Sequence, residues 1–277
     1  IEGFDKSLED QKNRARSSWS GSGDTSIDKI WYNLSNKIEK TEFIGYDNNV
    51  SQAEILSIVS DNKEIDKISS KQEACLILNQ SVFYAESGGQ IGDTGTITFD
   101  ENTFIVTDTQ KKENLIIHYG IVENGVFAQG DMVNLEIDKD RRSSCRSYHS
   151  ATHILHQALR DTLGDHVTQK GSLVSFDRLR FDFSHHKNLS DNEIQTVEEA
   201  VNNIIKSDLS VETKLMKSED AINSGALALF GEKYDDEVRV LSIGSSSSPS
   251  YSIELCGGTH VSKTSDIGNF KIISESS

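Results

Sequence analysis

Four side chains of this sequence have the type and spacing that hold a soft divalent cation. His149 and His153 stand four apart, which on a helix places both imidazoles on one face, one turn apart. About a hundred residues later comes a second pair, Cys256 and His260, in Glu254-Leu-Cys-Gly-Gly-Thr-His260. Gly257 and Gly258 let the backbone fold sharply there, so the pair can converge. Three imidazoles and one thiolate are a donor set zinc prefers, with Zn–N about 2.0–2.1 Å and Zn–S about 2.3 Å. The sulfur argues against calcium or magnesium. Singly these signals are weak, since two histidines a turn apart are as often surface residues, and a lone cysteine is usually a small hydrophobe. Their conjunction raises zinc well above that reading.

The chemistry around such a cation is constrained by what is missing. Ser150-Ala151-Thr152 separates the helix histidines, with no glutamate to act as the general base of a metalloprotease. A base must come from elsewhere or from the substrate. Thr152 either bonds its hydroxyl to the carbonyl one turn back or points it into the metal pocket. Gln169 follows the helix end and can return toward the metal. Arg180 and Asp182 alternate with apolar residues as in a strand, and an ordinary ion pair is their plainer role. Ser87-Gly88-Gly89-Gln90 is a glycine-rich turn without P-loop register. Lys139, Arg141, Arg142 and Arg146 are the densest basic cluster; such runs usually form a solvated face, but beside the site they suit a phosphate backbone. His156 reads as an outer partner of the metal or a surface residue. His118, His166, His185 and His186 lack paired spacing and read as structural, and Cys75 and Cys145 as inert packing.

These residues need elements to position them. Asp24-Thr25-Ser26 offers caps for a helix whose stripe is Ile27, Ile30, Trp31, Leu34 and Ile38; before it, a polar helical stretch loosens at Ser17–Gly23. From Thr41 to Asp138, short β-rich runs (Ile55–Val59, Ala74–Leu78, Thr94–Phe99, Thr103–Thr107, Leu115–Val122, Met132–Ile137) predict a small antiparallel barrel or sandwich. Asn124-Gly125 suits a tight turn between two of them. Beyond Arg141 the texture mixes helices and strands. A helix is predicted over Ser147–Gly164, with Gly164 ending it, and a second after the capping box Ser190/Glu193. Strands are predicted at Glu237–Ile243, Tyr251–Cys256 and Asn269–Ile273, with a loop from Gly244 to Ser250.

The chain has 277 residues, 28 basic and 44 acidic, for a net charge of −16. That length suggests two domains, and 35% hydrophobic with 26% charged residues is a globular balance. The charge excludes diffuse gripping of nucleic acid but not a local basic path. No run approaches the ~18 apolar residues of a membrane span, and no signal pattern opens the chain. Three widely spaced cysteines favour a reducing cytoplasm. The start at Ile1 rather than Met reads as a piece of a longer protein.

Ser87–Gln90, His149–His153, His166–Leu173, Leu179–Phe183, Ala226–Lys233 and Glu254–His260 together closely resemble the editing region of alanyl-tRNA synthetases. The likeness runs from the barrel to the C-terminus, with the motifs in order and correctly spaced; the serine-rich Gly244–Ser252 loop is longer than the family pattern. The resemblance implies an α+β fold: residues 1–40 a helical linker from the tRNA-recognition region, 41–138 a small antiparallel β-barrel, and 139–277 an editing domain of the threonyl/alanyl second-additional-domain type. It implies zinc on His149, His153, Cys256 and His260, with Thr152 and Gln169 lining the pocket. Gly88, Gly89, Gln90, Arg141, Arg142, Arg180 and Asp182 are then expected to contact substrate or tRNA.

The implied reaction is hydrolysis of tRNA(Ala) wrongly charged with serine or glycine. ATP and Mg2+ belong to the family's aminoacylation domain, which this sequence lacks along with the C-terminal domain; both would be linked covalently in the full protein. An alanine pocket separates glycine and serine by only about 1–3 kcal/mol, so a second site must test the product. Four protein donors favour a cation that orients the substrate end over one that activates water. Other readings are a free-standing trans-editing deacylase and a non-catalytic zinc-stabilised RNA-binding module.

Overall fold

The computed structural model describes residues 24–223, 225–226, 236–244 and 250–276. The expected polar helix before residue 17, residues 227–233 of one family motif and the loop 245–249 lie outside them. Helix α1 spans Asp24–Ser35, so Asp24, Thr25 and Ser26 lie inside it rather than ahead of it as caps.

Six strands close a barrel: β1 (Val50–Ser60), β2 (Glu73–Leu78), β3 (Gly95–Phe99), β4 (Asn102–Lys112), β5 (Leu115–Asn124) and β6 (Met132–Ile137). All neighbours are antiparallel in the order β6-β3-β4-β5-β2-β1, and β1 pairs again with β6. Closure, rather than a sandwich, leaves no free edge in the ring. Along β6, Val133, Leu135 and Ile137 point inward while Met132, Asn134 and Glu136 face out, the period of two that a half-buried strand requires. They meet Ile58, Leu76, Phe83, Ile97, Phe104 and Phe127 in the barrel core.

The continuous apolar run Cys75–Leu78 has a second cause. Its odd members join Val59, Leu115 and Ile117 on the outer face, which Trp31 and Leu34 of α1 cover. Burying such side chains is worth about 1.5–3 kcal/mol each, so α1 is fastened to the barrel by packing. Asn124-Gly125 does turn, with Gly125 at φ +84°. The turn does not join two barrel strands directly, however. It leads into Val126–Ala128, which pairs with Lys67–Ser69.

Helix α2 (Lys139–Leu163) is longer than predicted. Asp138 caps it by accepting from Arg141 N, 2.9 Å away, so the basic cluster lies on the helix. The apolar stripe does not reveal this first half, because Arg142, Cys145, His149 and Ser150 are buried there and most are polar. Gly164 ends the helix at φ +111°. The hairpin β7 (Gln169–Val174)–β8 (Leu179–Phe183), helix α3 (Asp191–Lys206) and the antiparallel sheet β9 (Val211–Lys217)–β10 (Glu237–Ile243)–β11 (Ser252–Leu255) complete this half. Short helix α4 (Ser218–Asn223) follows β9. Leu155, Ala158 and Leu159 of α2 pack on Val197, Val201 and Ile205 of α3. The capping box Ser190/Glu193 forms as predicted.

The strand expected at Asn269–Ile273 does not form. Side chains of α3 take its backbone groups instead: Asn202 exchanges two hydrogen bonds with Phe270, and Glu198 accepts from Ile272 N. A segment so satisfied needs no partner strand.

The halves are riveted together by one buried ion pair. Arg142, 1% exposed, donates to both carboxylate oxygens of Asp93 and to the carbonyls of Gly45 and Val82. It is therefore not free for tRNA phosphate, and the expectation for it is corrected. No described helix is long and apolar enough to cross a membrane.

Candidate metal centre

The ligand atoms of His149, His153, Cys256 and His260 all lie within 4.8 Å of one another. α2 supplies the first two, whose rings stack at 5.2 Å. The turn after β11 supplies the others. Cys256 Sγ stands 3.4 Å from His149 Nε2 and 3.3 Å from His260 Nε2, close to the ~3.5 Å edge of a tetrahedron with zinc–ligand bonds of about 2.05 and 2.3 Å.

Each imidazole is held from behind. His149 Nδ1 lies 2.8 Å from Gln90 Oε1, His153 Nδ1 2.7 Å from Glu254 Oε2, and His260 Nδ1 3.4 Å from Ser150 Oγ. An acceptor at Nδ1 fixes the tautomer that presents a lone pair at Nε2. His153 Nε2 is buried without a hydrogen-bond partner, an orphan that a cation would satisfy.

Electrostatics agree. Burial alone would raise the Cys256 thiol, but His149, His260 and His153 outweigh it and hold it well below the usual range, as a thiolate. Burial likewise opposes ionised Glu254, yet His153 and His156 bring its carboxyl down to about 2. Burial also disfavours charge on His153, but Glu254 and Cys256 raise it to about 10. Burial lowers His260 to about 4 against the pull of Cys256. Glu254 and Cys256 thus keep a proton on His153 in the metal-free site, and a divalent cation would displace that proton and supply the positive charge in its place. The donors, spacing and charge all fit zinc.

Sequence reasoning quoted Glu254 in a motif but gave it no role. Its signal is alternation: Ser252 and Glu254 share one face of β11, with Cys256 two residues on just past its end, and Glu254 meets His153 and His156. His156, 2% exposed, is an outer partner through Glu254 Oε1 at 3.3 Å and not a surface residue.

Gln90 was expected to meet substrate or tRNA. It is 0% exposed and is instead the barrel's brace for the site, accepting also from Thr259 N at 3.0 Å. Gly89, at φ +84°, brings this turn against β7, where a Cβ would lie 2.6 Å from Ser172 O; Gly88 is exposed at φ +58°. Tyr46 is a second brace that sequence reasoning missed. Its hydroxyl donates to Gly257 O at 2.8 Å, and Arg239 stacks on its ring.

Neither Gly257 nor Gly258 has a positive φ, so backbone freedom is not their reason. Gly258 is needed for close approach, because a Cβ there would sit 2.0 Å from the His149 ring, while Gly257 faces open space.

Thr152 is buried and its hydroxyl donates to Tyr148 O at 2.9 Å, the one-turn-back bond. Gln169 pairs with Phe183 at the far end of the hairpin from Val174, the residue that bridges Gln90. Five residues of strand separate them, about 17 Å. Arg180 pairs with Asp182 on the surface at 3.1 Å. Arg141 stacks over Phe176, 4.4 Å from its centroid. Cys145 lies within α2 rather than before it, and burial raises Cys145 to about 11 and Cys75 to about 12, so both thiols are inert.

Comparisons with known proteins bear on the chemistry. The family model for class II (A) tRNA synthetases matches residues 1–141. That for the threonyl and alanyl tRNA synthetase second additional domain matches residues 238–277, which include Cys256 and His260. Among curated relatives, the alanine–tRNA ligases of Nitrobacter winogradskyi and Parvibaculum lavamentivorans are each 48% identical over 99% of the chain. That of Rhodopseudomonas palustris is 47% identical over all of it. The chain spans about a third of the length of these relatives, between 31% and 32%.

Proposed function

The chain belongs to the class II tRNA synthetases, in their alanyl branch, and from that premise we propose that residues 139–277 form an editing site that removes serine or glycine from tRNA(Ala). The observation that carries this reading is the shared orientation of three imidazoles, Nδ1 braced outward and Nε2 inward, around one thiolate. Such outer bracing belongs to sites that hold a metal in fixed geometry.

When bound, zinc supplies positive charge that can hold the substrate end in the pocket. The chain does the rest. Gln90, Glu254 and Ser150 keep the ligands aimed. Thr152 stands beside His153, and because its proton is committed to Tyr148 O, only lone pairs remain. It can therefore accept from a serine hydroxyl but offers nothing to an alanine methyl. Water adds to the ester carbon, the bond from that carbon to the ribose oxygen breaks, and that oxygen takes up the proton the water gives up. Glu254 has its oxygens engaged by His153, His156 and Ser252, so it is not the base, and the proton is taken by another group or by the substrate itself. Of the basic residues expected to meet tRNA, Arg180 is exposed but shared with Asp182 and Arg141 lies over Phe176, so phosphate would compete with those contacts. ATP and Mg2+ act, on this reading, in the parts of the relatives that the chain does not span.

The test is hydrolysis of Ser-tRNA(Ala) and Ala-tRNA(Ala) by the full chain. Serine release is expected to exceed alanine release, to vanish in Cys256→Ala, and to lose its preference in Thr152→Val. Zinc and tRNA binding without hydrolysis would instead identify an RNA-binding module, and unchanged selectivity in Thr152→Val would refute the role of Thr152.

A further inference from the structure

Away from that centre, His166, His185 and His186 also converge, with one ring nitrogen from each within 4.8 Å of the others. His166 follows the end of α2, and His185 and His186 follow β8. Their ring centroids lie 4.6–5.6 Å apart. Sequence reasoning set these residues aside because nineteen positions separate the first from the second.

The cluster is built rather than incidental. Ser184 clamps the two strands of chain, donating to His166 O at 2.8 Å and accepting from Thr168 N at 2.9 Å. Arg160 holds the approach to His166 by donating to the carbonyls of Asp165 and Val167. Both supports act on backbone, so the imidazoles keep their ring nitrogens for one another. His166 Nε2 stands 2.9 Å from His185 Nδ1, and His185 Nε2 is buried without a partner. Among the described residues no carboxylate joins the three histidines within that distance, and imidazole alone does not suit a hard oxygen-seeking cation.

We propose that His166, His185 and His186 form a second metal site, for a borderline transition-metal cation such as Zn2+ or Ni2+. Imidazole nitrogen suits zinc, nickel and copper. Three protein donors leave coordination positions for water, and the exposure of His166 and His186 leaves an entry path. The cation would tie the hairpin β7–β8 to the end of α2. This site is independent of the editing reading.

Zinc retained per chain after equilibrium dialysis tests it, using the full chain and the variant His166→Ala/His186→Ala. Both residues are on the surface, so the variant is expected to fold and to keep its deacylation rate. The full chain is expected to retain two zinc ions and the variant one. Equal zinc content in the two proteins would overturn the second site. Cobalt titration separates the centres, because only the one containing Cys256 can give a thiolate-to-cobalt absorption band. The double substitution should leave that band intact and remove the remaining cobalt uptake. A variant that loses the thiolate band and keeps the rest would also overturn the proposal.

Discussion

Gly258→Ala is the sharpest perturbation of the centre, with Gly257→Ala as its control. The methyl at 258 would lie 2.0 Å from His149 Cε1 and 2.3 Å from Nδ1, where ordinary contact begins near 3.4 Å. The ring must therefore retreat by about 1.4 Å, while metal–ligand distances tolerate only about 0.2 Å. Any such retreat also strains the bond that holds Nδ1 to Gln90 Oε1 at 2.8 Å. Losing an outer partner alone costs about 10–100-fold in metal affinity, so displacing a ligand should cost at least about 100-fold, or roughly 2.7 kcal/mol. Overpacking adds about 1–3 kcal/mol to the loss of fold stability. Gly257 faces open space, and alanine there should change either quantity by less than about 0.5 kcal/mol. Zinc affinity by competition with a chelator reads the first effect and urea unfolding of the zinc-free proteins the second. Equal zinc affinity in the two variants would refute the close-approach argument.

Three further outcomes follow from the same geometry. Glu254→Gln keeps shape but removes the charge shared by His153 and His156; zinc affinity is expected to fall about 10–100-fold, and an unchanged dissociation constant would show that the carboxylate is not a partner of the metal site. Arg142→Ala leaves Asp93 buried and unpaired, which should cost about 3–5 kcal/mol in chemical unfolding; a loss under about 1 kcal/mol would contradict the rivet between the halves. Burial lowers His118 to about 4, with its bond to Leu76 O pulling the other way. Below about pH 6.5 the unfolded chain takes up a proton that the folded barrel refuses until about pH 4, so stability falls through that window, by about 3 kcal/mol in full. His118→Gln should flatten that slope, and a pH profile parallel to the parent protein's would exclude His118 as its cause.

The convergence of the four candidate ligands was legible because they obey local rules: His149 and His153 are a helical turn apart, and Cys256 and His260 close one short turn. The strands of the barrel were legible from alternation, as in Met132–Ile137, which matches its predicted bounds. What escaped depends on tertiary contact. Gln90 is a turn residue in sequence, and only the approach of β7 to Gly89 carries it under His149. Arg142 has the composition of a surface cluster but is buried by an aspartate forty-nine residues earlier. The early start of α2 was hidden because its buried face is polar. Asn269–Ile273 has strand composition, yet the side chains of Glu198 and Asn202 satisfy it first.

The central claim is that two stretches a hundred residues apart close on one cation. Zinc K-edge X-ray absorption of the full chain loaded with one equivalent of zinc tests it most directly. One sulfur at about 2.3 Å and three nitrogens at about 2.0–2.1 Å are expected. A zinc environment of nitrogen and oxygen alone, without the Cys256 sulfur, would contradict the account.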